Sequence, residues 1–110
     1  MKIDSEIAKR IPKTIRYLDE KSFVISESKY SPSSFGNFHV ILSDGERTIR
    51  IINDRGQLFG EVFNSQREWE WIESYLKRQG VLVDDLQSNL NYDENRLLDL
   101  LQSLVESAAA

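Results

Sequence analysis

The stretch RTIRIINDRGQLFGEVF, Arg47 to Phe63, decides the fold. Apolar and polar residues alternate with period two on both sides of Asn53-Asp54-Arg55-Gly56, a run of turn formers, so it reads as two strands about a tight turn. Arg50 and Glu61 stand out as charges among apolar neighbours. The loop has two residues (Arg55 and Gly56), three, or four, and three would set Glu61 beside Ile49 on the core face. Two residues pair Arg50 with Glu61 on the wet face and send Leu58, Gly60 and Val62 to the core face; four preserve that parity.

Upstream, NFHVILS (Asn37 to Ser43) begins another strand, and Asp44-Gly45 suits the positive φ of both central positions in a type I′ turn. With those two as the loop, Ser43 faces Glu46, Val40 faces Ile49 and Phe38 faces Ile51. The core face then carries Phe38, Val40, Leu42, Ile49 and Ile51. Its reverse holds Asn37, His39, Ile41, Thr48, Arg50 and Ile52, partly wet, with His39 directly opposite Arg50. FVISESKY, Phe23 to Tyr30, alternates likewise and is joined to this sheet through the surface connection SPSSFG.

The flanks read as helices. Ile3, Ile7, Ile11, Ile15 and Leu18 recur every three or four residues, giving a helix over about residues 3 to 20 that Pro12 breaks near Arg10 to Pro12. In SQREWEWIESYLKRQG, Ser65 serves as N-cap with Glu68 completing a capping box, and Gly80 ends the helix. Trp69, Ile72 and Leu76 share one face, whereas Trp71 points away. Trp71 either packs beneath the C-terminal helix or anchors a partner. DENRLLDLLQSLVES carries an apolar arc of leucines too wide for a surface helix, so it must be buried.

The expected fold is therefore α+β: a four-stranded antiparallel meander with N-terminal and C-terminal helices packed on it. The first helix and the Trp69 helix lie on one side, and the last helix covers a remaining apolar edge or face. Residues 1–107 form one domain, as a length of 110 residues suits a single core. Ala108 to Ala110 read as a cloning remnant.

Composition narrows the function classes. The chain is 40% hydrophobic and 29% charged, as folded globular proteins are. Fourteen basic against eighteen acidic residues give a net charge of −4, which repels phosphate backbones and argues against direct nucleic-acid binding. Without cysteine there is no disulfide or thiolate nucleophile, and no apolar run reaches the ~20 residues a membrane span needs. A cytoplasmic protein with no membrane partner is expected. His39 is the lone histidine, Asp84 and Asp85 are adjacent rather than spaced as metal ligands, and the five glycines build no phosphate-cradling loop. No catalytic, metal or cofactor residues are assigned, and the chain is not expected to be an enzyme.

Phe35-Gly36-Asn37, Arg50, NDRGQ at Asn53 to Gln57, then Trp69 and Trp71, following helix and meandering strands over residues 14 to 78, resemble small bacterial immunity proteins of contact-dependent growth inhibition and related polymorphic toxin systems. The resemblance implies a stoichiometric inhibitor that binds a cognate toxin domain in the cytosol, often a basic nuclease, without catalysis. The other reading is a protein-binding adaptor or regulatory domain. On either, the acidic surface around the Trp69 helix and its exit, with Glu68, Glu70, Trp71, Asp84 and Asp85, is the expected partner-binding region. A homo-oligomer is possible but not indicated, and the sequence leaves open whether the apolar C-terminal helix mediates a homodimer.

Overall fold

The computed structural model describes residues 2–81 and 91–107. Two short helices open the chain: α1 (Ser5–Arg10) and α2 (Pro12–Glu20). The Asp4 carboxylate caps α1 by accepting from the Glu6 amide at 2.8 Å. Ile11, at φ −133, is where the expected break falls, and Pro12 starts α2 at a position whose missing N–H costs nothing.

Five antiparallel strands follow in order β1-β2-β3-β4-β5: β1 (Val24–Ser31), β2 (Asn37–Ser43), β3 (Thr48–Asp54), β4 (Gln57–Phe63) and β5 (Trp69–Trp71). The expected α+β meander is present, with one strand more than the four expected. Helix α3 (Ile72–Arg78) continues from β5, and α4 (Glu94–Ser107) ends the chain.

The β3–β4 register is the one parity favours. Asp54 pairs with Gln57 and Arg50 with Glu61, leaving Arg55 and Gly56 as a two-residue turn with φ of 53° and 86°. Between β2 and β3 the expected pairing needs correction. Leu42 faces Ile49, Val40 faces Ile51 and His39 faces Ile52, a slip of two residues that removes the expected His39–Arg50 opposition. The cause is the Asp44 carboxylate, which accepts from the Glu46 and Arg47 amides at 2.9 and 2.7 Å and closes a four-residue loop. A slip of two preserves facing, so Phe38, Val40, Leu42, Ile49 and Ile51 are buried as expected.

The Trp69 helix also needs correction. Ser65 does not cap it; the Asn64 side chain instead accepts from the Gln66 and Glu68 amides, both at 3.0 Å, and forms a turn that returns the chain along β4. Trp69 to Trp71 consequently form β5, and the helix begins only at Ile72. Trp71 does not lie under the C-terminal helix.

The core lies on one side of the sheet. Ile7, Ile11, Leu18, Phe23, Ile72, Leu76, Leu97, Leu100, Leu101 and Leu104 join the inward residues of β2, β3 and β4 in one cluster. Helix α4 thus packs in the same layer as the others rather than on a separate edge or face. Gly60 permits the close approach of α3 and α4 to β4: a Cβ there would lie 2.7 Å from Ile72 Cδ1 and 3.0 Å from Leu97 Cδ1. The Glu94 carboxylate ties α4 to α2, accepting from the Thr14 amide at 3.0 Å and its hydroxyl at 3.1 Å; buried Thr14 lies in the first turn of α2, where amides lack helical partners. Among the described residues, no helix is long and apolar enough to cross a membrane.

Two outcomes follow. Gly60→Val should lower unfolding stability by about 2 kcal/mol, since overfilling a packed core typically costs 1–3 kcal/mol, as measured by urea denaturation. At Asp44, burial raises the carboxyl pKa, but the Arg47 and Glu46 amides and the Arg47 guanidinium outweigh it and hold the pKa below 3.8. A folded-state pKa that is depressed stabilises above the unfolded value and is lost as pH falls through the folded one. Asp44→Asn should therefore be less stable than the parent at pH 7, and the gap should close below pH 3.8 in pH-resolved denaturation curves.

Candidate functional site

With the helices on one side, the other side of the sheet is left open among the described residues. Alternation along each strand sets its composition: Glu27 and Lys29 from β1, His39 and Ile41 from β2, Arg50 and Ile52 from β3, Phe59, Glu61 and Phe63 from β4, and Trp69 and Trp71 from β5.

At the β4–β5 end these side chains form an aromatic row. The Phe63 and Trp69 rings meet edge-on at 5.2 Å between centroids, and Phe59 lies 5.4 Å from Trp71 and 5.0 Å from Tyr92. Tyr92 arrives there because its carbonyl accepts from the Leu58 amide at 2.8 Å, occupying the stretch of the β4 edge that β5 does not reach. Trp71 remains 45% exposed and Phe63 41%. Arg50 occupies the centre: its Nε donates to Glu61 Oε1 at 2.7 Å while its guanidinium stacks on Trp69 at 4.4 Å. Glu61 is buried and Arg50 partly exposed, and each compensates the other's charge within the fold.

The β1–β3 end is a polar depression of about 640 Å³. In it the His39 ring meets Glu27 at 2.7 Å, and Lys29 and Asp54 line the wall. The connection from Ser31 to Asn37 forms its rim and is pinned to the β3–β4 turn. The buried Asn53 amide donates to Gly36 O at 3.2 Å, and Asn37 Oδ1 accepts from the Arg55 amide at 2.8 Å. This clamp holds Phe35 outward, 78% exposed at φ 60°, with the Arg55 guanidinium 5.6 Å from its ring. A bulky residue in the left-handed region is unusual and carries strain.

The residues expected at the partner surface are only partly brought together. Trp71 stands on the outer sheet face. Glu68 is exposed in the turn just before β5. Glu70, between the two tryptophans, points to the opposite side of the strand and pairs with Arg78 of α3. Asp84 and Asp85 lie outside the described residues. Phe59, Phe63, Trp69 and Phe35 were not assigned from sequence. Phe59 and Phe63 were findable, because once Glu61 is placed on the outer face they must share it; Trp69 was not, because its helical spacing with Ile72 and Leu76 conceals that it belongs to β5. Among the described residues no cluster of His, Asp or Glu suits a metal ion.

Comparisons of the chain with family models, curated proteins and solved structures return no match.

Replacing Phe35 by Asn, which tolerates the left-handed conformation, should leave stability unchanged or raise it by up to about 1 kcal/mol, whereas β-branched Phe35→Val should lower it. Paired urea titrations check both.

Proposed function

We propose that the chain is a non-catalytic immunity-type protein, which binds a cognate toxin domain in the cytosol and neutralises it stoichiometrically through the outer face of its sheet. The aromatic row carries this reading. Trp and Tyr dominate binding hot spots, and here Trp71 and Phe63 are exposed yet braced by neighbouring rings, so little side-chain freedom is left to lose on association. The Arg50–Glu61–Trp69 arrangement supports it too, since a charge already paired and stacked is cheaper to cover than a solvated one.

The net charge of −4 favours a toxin with a basic surface, approached under electrostatic steering, and disfavours direct contact with nucleic acid. Glu68 stands beside the row, and Asp84 and Asp85 are retained as steering charges. Glu70, tied to Arg78, contributes less.

The test is to purify the chain with the toxin domain encoded by the neighbouring reading frame, then measure residual toxin activity and binding kinetics at two salt concentrations. A one-to-one complex with silenced toxin is expected. Trp71→Ala should speed dissociation at least roughly tenfold, as loss of a hot-spot anchor does, with an unchanged urea midpoint. Reversing Asp84 and Asp85 should slow association and flatten its salt dependence. Kinetics indifferent to both Trp71→Ala and Phe63→Ala would remove the interface from this face. A toxin left fully active in the complex would favour the adaptor reading.

A further inference from the structure

The two edges of the sheet are finished differently. On the β4 side the edge is covered by β5 and by the carbonyl of Tyr92. On the other side β1 ends the sheet, and along Val24 to Tyr30 its outward backbone groups meet no partner among the described residues. Nor does the helix layer reach over the middle of this strand, because Ser28, which shares the helix side with Val40, is exposed. An open edge of this kind is a template for another strand.

The charges on β1 decide which strand. Glu27 and Lys29 both project on the outer face, two residues apart, and Lys29 has no ion-pair partner among the described residues. Charged edge residues ordinarily obstruct pairing. Three symmetric antiparallel registers are relevant for β1 against a second β1. Centring on Glu27 opposes glutamate to glutamate, and centring on Lys29 opposes lysine to lysine. Centring on Ser28 sets Glu27 of each copy opposite Lys29 of the other, on the same face, twice by symmetry. In-register parallel stacking again opposes like charges. The same two residues therefore reject most alternatives and favour one.

We propose that β1 mediates a two-fold homodimer, in which the strands pair antiparallel about Ser28 and the two sheets become one of ten strands. The proposal does not depend on the immunity reading. The two-fold axis stands normal to the sheet, so both outer faces look the same way and each aromatic row lies at a far edge, free to bind. Each polar depression gains a residue from the other copy, since Lys29 on its wall receives the second chain's Glu27. The bulge at Ser26, where Ile25 pairs with Leu42 and Glu27 already with Ile41, limits the regular ladder to a few residues. The dimer is accordingly weak, with a small interface and rapid exchange.

Sedimentation equilibrium on the full chain alone, from about 10 μM to about 1 mM, a range suited to small transient interfaces, is the test. Wild type should dimerise within that range. Lys29→Glu, which creates two like-charge oppositions, should weaken dimerisation at least roughly tenfold, and the swap Glu27→Lys with Lys29→Glu should restore it. Circular dichroism of each variant checks that the fold is intact. A chain monomeric at the highest concentration, or a Lys29→Glu variant that dimerises like wild type, overturns the proposal. A dimer that the double swap fails to restore overturns the Ser28-centred register.

Discussion

The two-residue turn at Arg55 and Gly56 is the constraint on which the remaining architecture depends. Both residues adopt positive φ, which glycine does freely and arginine does only at a cost. That cost is offset locally: the Arg55 amide is held by Asn37 Oδ1, and the Arg10 guanidinium donates to the Gly56 carbonyl at 3.4 Å. With the turn fixed, every residue of β4 has its side assigned. A slip of one would turn Glu61 and Phe59 into the helix layer and expose Leu58 and Val62.

From that parity the two surfaces of the sheet acquire different physics. The helix side admits α3 and α4 because Gly60 leaves room for Ile72 and Leu97, and burial of leucine and isoleucine there supplies the driving force. The outer side has no such layer among the described residues, and its central charges must compensate one another. Arg50 does so by combining a hydrogen-bonded carboxylate with an aromatic face, for which a planar guanidinium is better suited than an ammonium.

Sequence periodicity revealed facing far better than pairing. Alternation in NFHVILS and TIRIIND assigns each side chain to a side, and facing survives any even slip. The pairing itself depended on whether Asp44 would enter a two-residue turn or use its carboxylate to collect two amides, and Asp-Gly suits both. The same ambiguity hid β5. Ser65 and Glu68 match a capping box, but Asn64 one residue earlier takes the amides first, and Trp69, Ile72 and Leu76 keep helical spacing although the first belongs to a strand. Trp71 therefore changed meaning. On a helix it opposes Trp69; on a strand it stands beside it. Tyr92 joins the row through tertiary contacts, a hydrogen bond to the Leu58 amide and a ring contact with Phe59, which no local pattern encodes.

Exposed apolar side chains and the strained Phe35 coincide at the open face. Among the described residues, Val24, Phe35, Phe63 and Trp71 are the large apolar side chains that remain exposed, and all four project from the outer face or stand at its rim. Scattered singly, exposed apolar residues need no explanation. Concentrated on one side, with Phe35 held in a disfavoured conformation by buried Asn53 and by Asn37, they do. Polar side chains at those positions would solvate more cheaply and leave the helix-side core untouched, because facing separates the two surfaces. The helix-side core therefore does not require the aromatic character of this face, which is set by the residues alternation places there.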